Sequence, residues 1–145
     1  MKKYIGIIIG IIIVVLGIVV ISLNGKTIDY KSRSVDDWYN DIVSNKDVLT
    51  VFGASYCSHC QEYYPVISKL ANKYKINLYF FELDEIEESR PDDYNKLINS
   101  FELKEFTGYP FTFLMRNGNY TAYDEGYIDR DHTINFLESN GIIKN

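Results

Sequence analysis

Cysteine is nearly absent. Cys57 and Cys60 are the only two in 145 residues, which excludes the multi-bridge framework that staples small secreted domains. Histidine is equally scarce, with His59 and His132 alone. Tetrahedral zinc wants four ligands, so a metal site built on Cys57, His59 and Cys60 would have to recruit His132 from far along the chain. Positive charge is also in short supply: after Lys26 there are twelve basic and twenty acidic residues, a net charge of −8. That balance argues against a nucleic-acid partner, which needs a basic face. Between Ile5 and Leu23 there is no charge of either sign, and no alanine precedes Ala54.

The uncharged run is Ile, Val, Leu and Gly with a single Ser. As a helix it would rise about 28 Å, enough to span a hydrocarbon core. A cleavable signal peptide has a shorter apolar part, about 7–15 residues, and a small-residue cleavage site. The sequence therefore favours a retained anchor over residues 1–24, holding the chain to a membrane through residues 5–23. Lys2 and Lys3 precede the run while Lys26, Lys31 and Arg33 follow it. Positive charge alone does not orient the span; the very short amino-terminal tail favours a globular part outside the cell membrane. Residues 25–33 read as a polar linker and residues 34–145 as the globular domain.

Within that domain, Ser34 has the chemistry of an N-cap, and Val35, Trp38, Tyr39, Ile42 and Val43 can share one helix face. Val48-Leu49-Thr50-Val51-Phe52 reads as a buried strand. The apolar residues from Gln61 to Tyr74 recur at helical spacing, with Pro65 inside. Ile76 to Leu83 predicts a central strand, so the order strand–helix–strand points to a parallel crossover. Asp84 to Asp93, acidic and containing Pro91, reads as a solvated loop, and a helix is expected from Asp92 to Phe106. Thr107-Gly108-Tyr109-Pro110 breaks the pattern. Phe111 to Met115 and Tyr120 to Tyr127 predict a hairpin around Asn117-Gly118, and Asp129 or Asp131 can cap a last helix.

Cys57 and Cys60 fall at the junction of the first strand and its helix. A thiol there meets the positive end of the helix dipole, which favours the thiolate. Cys57, at the helix mouth, is then the sulfur that attacks or is attacked; Cys60, one turn in, resolves the mixed disulfide. His59 lies between them, where an imidazole can stabilise the Cys57 thiolate. A bystander surface histidine is the plainer alternative. Tyr63 and Tyr64 could edge a groove, although helical geometry favours one of them packing inward.

The order of elements and the landmarks Phe52, Cys57, Cys60, Pro65, Gly108, Pro110, Asn117, Gly118 and Gly126 resemble the thioredoxin family over roughly Ser34 to Asn140. The resemblance implies a thioredoxin-like three-layer α/β/α sandwich with a mixed central sheet, preceded here by one transmembrane helix. It implies thiol–disulfide oxidoreductase activity through a Cys57–Cys60 redox-active disulfide, with no cofactor and with cysteine-containing proteins as substrates. It also makes Pro110 a cis-proline facing the sulfurs, so that the Tyr109 backbone could pair with an extended substrate.

Three positions depart from the family pattern. Val51 stands where thioredoxin has a buried carboxylate, Tyr56 replaces the tryptophan before the first cysteine, and Tyr109 is bulky for its place. Tyr56 and Tyr109 are therefore candidate substrate contacts. His59 resembles the disulfide isomerases and periplasmic oxidants, favouring an oxidant or isomerase. A reductase fed by a membrane electron carrier stays open, as do a metal-binding module and a redox-inert interaction domain.

Overall fold

Every residue of β1 (Val48–Gly53) is buried, as expected of a strand flanked on both edges and covered on both faces. In the computed structural model, which describes residues 28–102, 106–126 and 129–144, β1 pairs in parallel with β2 (Leu78–Glu82) and antiparallel with β3 (Phe111–Arg116). A hairpin returns β3 into β4 (Asn119–Glu125), giving the order β2-β1-β3-β4. Asn117 and Gly118 turn that hairpin with φ of 52° and 73°, the left-handed values that this residue pair tolerates.

Alternation along β1 sends side chains to two cores. Leu49 and Val51 join Tyr63, Ile67 and Leu70 of α2 (Ser58–Tyr74) and Leu137 of α5 (Arg130–Ser139). On the opposite face, Val48 and Phe52 meet Val35, Trp38 and Ile42 of α1 (Val35–Val43). Leu83 and Ile86 of α3 (Leu83–Ser89) and Leu97 of α4 (Pro91–Asn99) complete that second core. The result is an α/β/α sandwich with a mixed four-stranded sheet. The apolar run of residues 5–23, with the expected transmembrane helix, lies outside the described residues; among those described, no helix is long and apolar enough to cross a membrane.

Two expectations are corrected. The acidic stretch Asp84–Asp93 is helical, not a loop. Leu83 and Ile86, three apart, are buried together with Leu97, and burial of that stripe outweighs the surrounding charge. Pro91 sits at the first turn of α4, where its missing N–H costs nothing. Asp84 and Glu85 occupy the first turn of α3, and Asp92 and Asp93 that of α4, where carboxylates suit the helix dipole. The predicted helix to Phe106 ends earlier, at Asn99.

Residues 28–33, the described part of the expected linker 25–33, are the second correction, because packing begins before Ser34. Tyr30 opens a short 3-10 turn (Tyr30–Ser32) and is only 2% exposed. The Arg33 guanidinium lies 3.6 Å from the centre of the Tyr79 ring and donates to Asn77 Oδ1 at 2.7 Å and to the Leu78 carbonyl at 2.8 Å. A polar composition concealed one aromatic plug and one bidentate cation.

The same corner holds Asp41, whose carboxylate accepts from Lys46 Nζ at 2.6 Å, Asn77 Nδ2 at 2.9 Å and the Tyr79 hydroxyl at 2.8 Å. Burial pushes its pKa up, but these three donors and the Lys46 charge together outweigh burial and hold it below its ordinary value of 3.8. A carboxyl lowered in the folded state stabilises above its unfolded pKa and loses that contribution as pH falls through the folded one. Asp41→Asn is therefore expected to cost about 1–2 kcal/mol at neutral pH. The gap in thermal midpoint between the variant and wild type should close as pH drops below 3.8; a gap constant down to pH ~2 would refute the assignment.

Candidate redox site

The loop that presents the cysteines is tied at both ends. Cys57 N donates to the Ala54 carbonyl at 3.0 Å, and the Gln61 side-chain amide donates to the Ser55 carbonyl at 3.0 Å. Asp84, in the first turn of α3, reaches back: Oδ1 accepts from Ser55 N at 2.9 Å and Oδ2 accepts from the Ser55 hydroxyl. Burial would raise the Asp84 pKa, yet the Ser55 hydroxyl and amide hold it below the ordinary carboxylate value. A residue read as part of a solvated loop is thus a brace for the segment immediately before Tyr56-Cys57.

Cys57 is the N-cap of α2, and its Sγ accepts from Cys60 N at 3.1 Å. Cys57 and Cys60 form a disulfide with Cα atoms 5.3 Å apart. The two sulfurs are not equivalent. Cys57 is partly exposed, whereas Cys60 is 2% exposed because it shares the inward face of α2 with Tyr63 and Ile67. Gly53 makes room behind it: a Cβ there would come 3.4 Å from Cys60 Sγ and 3.1 Å from the Phe80 ring. Val51, two residues earlier on the same face, is fully buried and in register with Thr112.

Pro110 follows a cis Tyr109–Pro110 bond. Because β3 runs antiparallel to β1 with Phe52 opposite Phe111, the loop before β3 and the loop after β1 meet at one end of the sheet. Cys57 and Tyr109 border the same core cluster. Burial raises the Tyr109 pKa, and the negative charge of Tyr56, Tyr94, Asp84 and Glu87 pushes it further. Tyr56 is 76% exposed. His59 is exposed on the first turn of α2.

The other sequence candidates lie elsewhere in the arrangement. Tyr63 is fully buried, its hydroxyl 3.4 Å from Thr112 Oγ1 and its pKa pushed up to about 12 by burial. Tyr64 is half-buried and donates to Asp29 Oδ1 at 2.8 Å. His132 stands on α5, its ring 2.7 Å from Asp124 Oδ2. Among the described residues, no group of three or more His, Cys, Asp and Glu is placed to hold a metal ion. Sequence reasoning missed Asp84, Gly53 and Glu125, the last of which contacts the backbone before Tyr109. None of them carries a motif; only tertiary contact reveals them.

A disulfide that solvent can reach through one sulfur alone can be opened and reclosed. That asymmetry, at a helix mouth, belongs to the thiol–disulfide oxidoreductases. The thioredoxin family model matches residues 30–139, and the chain belongs to that family. Thioredoxin f2 of Chlamydomonas reinhardtii has the same fold at 17% identity, with a TM-score of 0.60 over 80% of this chain and 100% of that one. A point mutant of the thioredoxin from Halobacterium salinarum NRC-1 gives 20% identity and a TM-score of 0.56 over 79% and 90%. A protein disulfide-isomerase of Ricinus communis is 32% identical over 111 residues, 73% of this chain; the chain spans only 20% of that relative's length.

Proposed function

We propose that this thiol–disulfide oxidoreductase acts as an oxidant or isomerase of cysteine-containing proteins at the outer face of a cell membrane, tethered through residues 5–23. The observation that carries the reading is the disulfide itself, joining partly exposed Cys57 to buried Cys60. A substrate thiolate attacks Cys57 Sγ; the Cys57–Cys60 bond breaks, and Cys60 leaves as a thiolate that takes up a proton. A second substrate thiolate then attacks the substrate sulfur of the mixed disulfide and expels Cys57. Two electrons pass from substrate to the cysteine pair, and the substrate leaves with a new disulfide.

In that sequence Cys57 is the nucleophile of the reverse reaction and Cys60 the resolving thiol. The dithiol product has a thiolate at Cys57, which the Cys60 N–H at 3.1 Å and the first turn of α2 stabilise. His59, on that same turn, adds a donor or a positive charge. Stabilising the thiolate makes the disulfide the stronger oxidant. Tyr56 and Tyr109 flank the sulfurs as substrate contacts, and the Tyr109 backbone beside Pro110 pairs with an extended peptide. The likeness to a disulfide isomerase supports the oxidant direction, and the uncharged run of residues 5–23 supports the tether.

Equilibration with glutathione buffers tests the direction. The expected potential is less negative than about −230 mV, and His59→Pro should lower it. A wild-type potential near thioredoxin's, about −270 mV, would sink the oxidant reading and leave a reductase fed by a membrane carrier.

A further inference from the structure

We propose that Glu125 is a positioning residue for the protein substrate, fixing the backbone that presents Tyr109 to an incoming peptide. The inference rests on the disulfide-exchange reading and adds a residue to it. Glu125 ends β4, opposite Phe111. Its Oε1 accepts from Gly108 N at 2.6 Å, from the Thr107 hydroxyl at 3.2 Å and from Thr107 N. One carboxylate oxygen therefore gathers two successive backbone amides and a hydroxyl from the loop that enters Pro110.

The ladder between β3 and β4 does not require this. Its last pair is Phe111 with Glu125, and the next bond runs from Gly126 N to the Pro110 carbonyl at 2.9 Å. Thr107 is exposed and Gly108 half-buried, so water could satisfy both amides. A carboxylate in that place replaces mobile water with charge-assisted bonds of fixed direction. Phe106 anchors the same loop from its ring, centred 4.9 Å from that of Phe111 and 5.8 Å from that of Phe52. Tyr109 lies between two restrained points, Gly108 before it and Pro110 after it. Among the described residues, no backbone–backbone hydrogen bond uses the Tyr109 amide or carbonyl.

Binding by strand addition needs acceptor and donor directions set in advance, since loop ordering on binding is lost affinity. Attack by a small dithiol on Cys57 needs neither. The consequence is a split between substrates. With the full chain in detergent, oxidation of a two-cysteine peptide and of dithiothreitol is followed for wild type, Glu125→Ala and Glu125→Gln. Glu125→Ala should raise the peptide KM about tenfold with kcat nearly unchanged, while the dithiothreitol rate and the redox potential stay at wild-type values. Glu125→Gln keeps an acceptor oxygen and should raise KM only about threefold.

Equal peptide KM in wild type and Glu125→Ala overturns the proposal, as does a parallel fall in both substrates. Should Glu125→Ala fail to fold, Glu125→Gln decides: a peptide KM equal to wild type's also overturns it. A wild type that oxidises neither substrate removes the exchange reading and this proposal together. A wild type that oxidises both, with no split in the variants, removes this proposal alone.

Discussion

Replacing Cys57 with serine is expected to lower disulfide exchange by about 10³-fold or more, while Cys60→Ser stalls the reaction halfway. A serine hydroxyl at Cys57 cannot supply an anion at neutral pH as a thiol does, and no other sulfur remains at the exposed position. The two variants separate because the two sulfurs differ in access. Cys60 is 2% exposed and Cys57 partly exposed, so a partner reaches Cys57 first. Without Cys60 the mixed disulfide has no internal thiol to resolve it and accumulates. Non-reducing electrophoresis after incubation with a disulfide-containing peptide reads this directly: the Cys57 thiolate attacks the peptide disulfide, bonds to one of its sulfurs and releases the other as a thiolate. A covalent adduct in Cys60→Ser and none in Cys57→Ser is the expected pattern. The reverse pattern would place the attacking sulfur at Cys60, against its burial.

Much of this site was legible from the chain because short-range rules govern it. Two cysteines three apart at a strand-to-helix junction can join with little movement of the backbone, and Cys60 at the first turn faces inward with Tyr63. Ser34 as a cap rests on the same local logic: its hydroxyl accepts from Asp37 N at 3.0 Å. So does Asp129, which accepts from His132 N at 2.8 Å. What escaped notice depends on contacts between distant segments. Asp84 looked like one acid among many, yet it braces Ser55 across 29 residues. Glu125 and Thr107 are joined across 18. Arg33 and Tyr30 sat in a stretch whose composition signals a linker, and only β2 beside them gives the guanidinium and the ring something to pack on. Charge counting misled at Asp84–Asp93 for a related reason: four exposed acids conceal two buried apolar residues three apart, Leu83 and Ile86.

Trp38→Ala carries the largest expected loss of stability, about 3–5 kcal/mol. The indole is fully buried on the sheet face away from Cys60, edge-on to Phe81 and Phe101 at centroid distances of 6.1 and 5.5 Å. Its Nε1–H donates to Thr50 Oγ1 at 2.9 Å, and Thr50 lies fully buried in the central strand. Truncation removes the apolar volume that joins α1 to the sheet and strands a hydroxyl where water does not reach. Trp38→Phe separates the two contributions: the ring is largely kept, and the loss should be about 1–3 kcal/mol, mostly from the unpaired Thr50. Adding Thr50→Val to Trp38→Phe should then recover part of that loss, because an apolar side chain of the same shape needs no partner. Chemical denaturation of the three variants measures this, with disulfide exchange by the folded protein expected to stay at the wild-type rate. A loss below about 1 kcal/mol for Trp38→Ala would mean that α1 contributes little to this core. A drop in exchange rate at full folding would mean that the two faces of the sheet are coupled through β1, in which Thr50 and Val51 are neighbours facing opposite sides.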